Sequence, residues 1–136
     1  MKIIVDHPPL IDQIDGVFHC RDKEIIYAWG DIIYNPQNIR IPDFLIEHEG
    51  VHGKRQGTDI EGWWKRYMED IEFRYQEELF AHVKEYQVRS QGVKDRNLKS
   101  KLLMWSAARL AAPLYGKMTN LSQATKDIRF YEKREV

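Results

Sequence analysis

The chain has 136 residues, 43% of them hydrophobic, enough for a single domain over residues 1–136 with its own core. Its 21 basic and 21 acidic side chains cancel, which excludes a strong overall field toward nucleic acid or a membrane surface. A lone cysteine, Cys20, excludes an internal disulfide framework. The cancellation hides a gradient, because residues 87–136 carry 11 basic and 4 acidic side chains. Such a run is read first as a solvated helix face and second as a surface for an acidic partner.

The run Met1–Asp6 loses its apolar character too soon for a signal peptide. Lys2 to Asp6 predicts a first strand, ended by His7-Pro8-Pro9 because neither proline can donate to a ladder. Leu10, Ile11, Ile14 and Val17 recur at helical spacing and predict a short helix closing near Gly16. Two β-rich runs, Glu24–Ala28 and Asp31–Asn35, flank Trp29-Gly30 and predict an antiparallel hairpin, which Pro36 and Asn38 end.

A helix is predicted to begin near Pro42, with Asp43 complementing its positive N-terminus. It carries His48-Glu49-Gly50-Val51-His52, an H-E-x-x-H pattern. Two imidazoles four residues apart share one helical face, so both can reach one zinc ion at roughly 2.0–2.1 Å. Glu49 follows the first ligand, where a carboxylate can take a proton from activated water. A histidine pair on a half-apolar helix is also compatible with hydrogen-bonded core residues, so the pattern alone is a hypothesis that favours zinc. Gly50 costs the helix about 0.8–1.0 kcal/mol relative to alanine, and it either allows a close approach of another backbone or is only tolerated.

Gln56-Gly57-Thr58-Asp59 reads as a loop, with Thr58 or Asp59 capping the next helix. Trp63, Trp64, Tyr67, Met68 and Ile71 recur at helical spacing and read as core packing, with a bend at Asp70. From Ile71 to Tyr86 the apolar stripe is Ile71, Tyr75, Leu79, Val83 and Tyr86. Glu78 and His82 fall on it, whereas Glu72, Glu77 and Glu85 fall off it. A glutamate among core positions needs a cation, because desolvating a carboxylate is costly. That cation is either a basic side chain or the metal for which His48 and His52 supply only two ligands. Residues 87–97 are polar, and Leu98–Ala112 predicts a further helix. Arg109 and Pro113 interrupt the longest apolar region, which therefore cannot span a bilayer. Pro113 and Gly116 bound the turn around Leu114-Tyr115, Ser122 is placed to cap a last helix through Ile128, and Tyr131–Val136 reads as a frayed tail.

His48-Glu49-x-x-His52 followed by a helix with Glu78-x-x-Ala81 resembles the gluzincin branch of zinc metallopeptidases. Some members carry an aspartate directly after that alanine; here the residue is His82. A more extended likeness is to small metallopeptidase-type proteins encoded by bacteriophages. It rests on Gly30–Pro36, His48–His52 with Gln56, Trp63–Tyr67, Phe73-Arg74 with Glu77-Glu78, and Pro113–Gly116. The resemblance implies an α+β, mainly helical, zincin-like minimal metallopeptidase domain, with a small antiparallel hairpin sheet preceding the H-E-x-x-H helix. It implies one zinc per chain, held by His48, His52 and Glu78, with Glu49 as general base for hydrolysis of a peptide or amide bond. Tyr115 and Tyr34 are both candidates to stabilise the oxyanion. His82 either orients a ligand or is a fourth ligand that would close the site. The strand Asp31–Asn35 is a candidate to take substrate backbone by strand addition.

A peptide or protein substrate, a location in host cytoplasm or phage virion, and association with virion components follow from the same likeness. Two other readings stand beside it. One is a non-enzymatic virion or host-interaction protein on a zincin scaffold. The other is a metal-free helical protein whose basic residues 87–136 meet an acidic partner.

Overall fold

Proline and glycine set the first boundaries. In the computed structural model, which describes residues 1–136, strand β1 (Lys2–Ile4) stops before the paired prolines and helix α1 (Ile11–Phe18) follows them. Strands β2 (Tyr27–Trp29) and β3 (Ile32–Tyr34) form the expected hairpin. Gly30 takes φ +61° at the first position of its two-residue turn, a conformation that glycine enters without a steric penalty. The sheet is mixed rather than antiparallel, in the order β1-β3-β2, with β1 parallel to β3. A parallel pair needs a crossover connection, and α1 with β2 supplies it.

Five helices complete the chain: α2 (Asp43–Gln56), α3 (Ile60–Glu69), α4 (Ile71–Ser90), α5 (Arg96–Leu110) and α6 (Leu121–Tyr131). Pro42 stands just before the first helical residue of α2. Asp59 caps α3 through the Gly62 amide at 3.0 Å, and Asp70 caps α4 through the Phe73 amide at 3.1 Å. Asn120, not Ser122, caps α6, so that helix starts earlier than its serine suggested. The tail is tied down: the Gln87 amide donates to the carbonyls of Glu132 and Arg134. No helix is long and apolar enough to cross a membrane.

Two apolar clusters flank a polar seam. One joins Ile14, Cys20, Tyr27, Trp63, Trp64 and Tyr67 from α1, β2 and α3 and their connections. The other is built by α4, α5 and α6 around Leu79, Val83, Leu103, Leu110 and Ile128. Between them α2 packs along α4, and its buried face is His48, Glu49, Val51, His52, Gly53 and Gln56, with one branched apolar residue among them. α4 is buried beyond its apolar stripe: Glu77 and Glu85 are buried as well as Glu78 and His82, while Ile71, at its first turn, is 55% exposed. Glu77 and Glu85, off the apolar stripe, are buried because each has a cation or donor to receive it.

The close approach suggested by Gly50 occurs one turn later. A Cβ on Gly53 would stand 1.9 Å from the Gly30 carbonyl oxygen, whereas one on Gly50 would only touch the Met1 sulfur at 3.8 Å. Gln56 makes the same junction, accepting from the Gly30 amide at 2.7 Å and donating to the Ala28 carbonyl at 3.0 Å. Gly53→Ala should therefore destabilise the protein by at least about 1–3 kcal/mol in denaturant unfolding, through overpacking against backbone. Gly50→Ala should be neutral or stabilise it by up to about 1 kcal/mol. Equal midpoints for the two variants would contradict this contact.

Candidate metal centre

Helical spacing on α2 places His48 and His52 one turn apart, with ring centroids 5.0 Å apart. From α4, Glu78 enters between them. Its Oε2 is 2.9 Å from His52 Nε2 and its Oε1 is 3.4 Å from His48 Nε2. All three side chains are buried, and one ligand atom from each lies within 4.8 Å of the others. The edge of a tetrahedron with 2.0–2.1 Å bonds is roughly 3.3 Å, so these separations suit ligands around one zinc-sized ion.

The hydrogen-bond ledger fits the same ion. His52 Nε2 and Glu78 Oε1 are buried without a hydrogen-bond partner, although other donors and acceptors crowd them. Glu78 has no lysine or arginine partner; its neighbours are His48, His52, His82 and the Tyr67 hydroxyl, which donates to Oε2 at 2.6 Å. Two imidazole nitrogens and a carboxylate oxygen form a donor set that zinc accepts.

His48 is oriented from behind. Its Nδ1 donates to Glu85 Oε2 at 3.1 Å, and the Arg109 Nε lies 2.8 Å from Glu85 Oε1. That bond turns Nε2 toward His52 and Glu78, the role a carboxylate commonly plays behind a zinc-binding histidine. Glu85 stands two turns after Glu78 on α4. His82 takes a different place: its Nδ1 donates to the Glu78 carbonyl at 2.7 Å, its Nε2 has no partner, and it converges with His48 and Glu85 in a second donor group. Compared with family models, with curated proteins and with solved structures, the chain matches none. The geometry therefore has to carry the functional reading.

Burial opposes charge on His48, yet hydrogen bonds to Glu78 and Glu85 outweigh it and raise its pKa to about 10. Burial also works against the Glu78 carboxylate, but His52 and His48 hold its pKa well below the usual range. Burial, then the neighbouring His48 charge, push His82 down to about 4, which keeps it neutral. Glu49 is moved upward by burial against the pull of His48 and His52. It makes no hydrogen bond or ion pair and faces a cavity of about 250 Å³.

That cavity is lined by 21 residues, 15 of them hydrophobic, and His48, Glu49, His52 and Glu78 form its polar floor. Tyr115 lines it, its ring 5.9 Å from His82, and burial with the Glu78 charge keeps its hydroxyl protonated well above the ordinary range. Arg74 fixes the Tyr115 segment, donating to the carbonyls of Tyr67, Met68 and Tyr115 at 2.8, 2.7 and 2.9 Å. Gly116 follows at φ +90°, with space for a Cβ only 3.2 Å from the Arg74 guanidinium. Tyr34 lies away from the cavity wall, against the α1–α3 cluster. Strand β3 sits in the middle of the sheet with both edges paired, so it cannot accept another strand. At β2, the Ala28 carbonyl is already taken by Gln56 and Trp64.

Glu85, Tyr67 and Arg109 are site residues that the apolar stripe did not reveal. Glu78, His82 and Glu85 follow at i, i+4 and i+7, a polar stripe of its own, and that spacing was the available signal. Glu85→Gln should weaken zinc binding by about 10–100-fold in a chelator competition titration, with the metal still bound at stoichiometric excess. Unchanged affinity would remove Glu85 from the site.

Proposed function

We propose that the protein is a zinc-dependent peptidase of zincin-like design, hydrolysing a peptide or amide bond. The observation that carries this reading is a buried His48–His52–Glu78 donor set with an unpartnered carboxylate, Glu49, beside it on the floor of an apolar cavity. A purely structural zinc site would not need that additional acid. Zinc bound there supplies Lewis-acid polarisation of a carbonyl and acidification of water.

The chain's own residues do the rest. Glu49 takes the proton of the attacking water and returns it to the leaving amine, for which a carboxyl pKa raised by burial is well suited. The protonated Tyr115 hydroxyl is the donor available to a developing oxyanion, and Tyr67 and Glu85 hold Glu78 and His48 in place. The likeness to phage-encoded metallopeptidase-type proteins agrees with this reading and suggests a peptide or protein substrate. Metal analysis of the purified protein should give one zinc per chain. Chelation should abolish cleavage of a mixed peptide library and lower the melting temperature, and added zinc should restore both. Metal-free protein that melts unchanged with a chelator would overturn the proposal.

A further inference from the structure

Resting on that peptidase reading, we propose that Arg109 forms an anion subsite in the same cleft, and that the preferred substrate carries a carboxylate within about two residues of the scissile amide. Of the residues on the cavity wall, Arg109 is the only lysine or arginine. Its guanidinium is anchored through one ion pair, Nε to Glu85 Oε1 at 2.8 Å, and neither Nη makes a hydrogen bond to the protein. The side chain is 44% exposed, so the two Nη amines are free at the rim rather than sealed behind it. A fork held at one nitrogen and open at two is the geometry that a carboxylate matches.

The cavity that Arg109 shares with His48 and Glu49 fixes how far this subsite lies from the chemistry. Arg109 meets Glu85, and the other oxygen of Glu85 meets His48 Nδ1 at 3.1 Å. That cavity, of about 250 Å³, is roughly 8 Å across, about two residues of extended chain at 3.3–3.6 Å each. Ala112 and Leu114 line the wall on the same stretch, giving the carboxylate an apolar neighbour. The exposed wall acid, Glu24, belongs to the β2 side, so an anion is directed toward α5.

The carboxylate comes either from a chain terminus or from an acidic side chain, and three probes separate these. They are N-acetyl-leucyl-phenylalanine, its C-terminal amide, and N-acetyl-leucyl-aspartic acid α-amide. Affinity is measured by calorimetry on zinc-loaded Glu49→Gln protein, which removes turnover, and cleavage is measured on the parent protein. At least one acid probe should bind about 10–100-fold more tightly than the neutral amide, and Arg109→Gln should erase that ratio. The free acid winning identifies a terminal carboxylate; the aspartyl amide winning identifies a side chain. The ratio, unlike absolute affinity, does not move if Arg109 merely supports Glu85. Cleavage without any acid preference would overturn the subsite and leave the peptidase reading standing. An Arg109-dependent acid preference without cleavage of any peptide would uphold the subsite and overturn the peptidase reading.

Discussion

Glu78→Ala should strip the protein of zinc, with metal content falling from one per chain toward zero and affinity dropping by more than about 100-fold. An ion bound there would have two imidazoles and one carboxylate, and losing that carboxylate costs more than losing a group that only orients a ligand. Glu78→Gln keeps the shape and the Tyr67 contact site but removes the charge, so it should show the same loss in milder form and guards against simple misfolding. The neighbouring acid gives the contrast. Glu77 accepts from Arg55 Nε at 2.7 Å and Trp63 Nε1 at 2.6 Å, away from both histidines. Glu77→Gln should keep its zinc and lose about 1–3 kcal/mol of stability. Full zinc in Glu78→Ala, or zinc loss confined to Glu77→Gln, would dismantle the centre as described.

The contrast between these two glutamates also measures what the sequence made legible. Placing Glu78 on a buried stripe and Glu77 off it singled out the acid that meets His48 and His52, but burial is not what separates them, since both are buried. Direction is: a step of one residue turns a side chain by about 100°, so Glu78 faces His48 and His52 while Glu77 faces Arg55 and Trp63. A hydropathy stripe records which face is apolar and is silent on which polar face meets a second helix. Glu85 was missed for that reason.

The same limit applies to the fold. The helices and the β2–β3 hairpin were legible because periodicity and turn chemistry are local. The parallel partner of β1 was not, because a three-residue strand carries no signal of the strand that it joins across some thirty positions. Gly53 is a third case. Its need for glycine comes from the Gly30 carbonyl on another element, and only the assembled α2–hairpin junction shows which of two helical glycines is indispensable. In each case the missing information was a tertiary neighbour rather than a property of the segment.

Glu49→Gln should reduce kcat by about 10²–10⁴-fold while leaving zinc content at one per chain. It should also leave stability unchanged or raise it, and this second expectation is the more discriminating. Glu49 is a buried carboxylate with no hydrogen bond and no ion pair, held at a cost because burial disfavours its charge. Glutamine keeps the volume and removes the charge. In a protein where Glu49 is structural, the same change would lower the melting temperature. A carboxylate whose removal costs activity but not stability is one kept for proton transfer, as expected where function and stability compete for the same position. Retained turnover in Glu49→Gln would exclude it as the base. Lost turnover accompanied by lost zinc would instead place Glu49 among the groups that hold the metal.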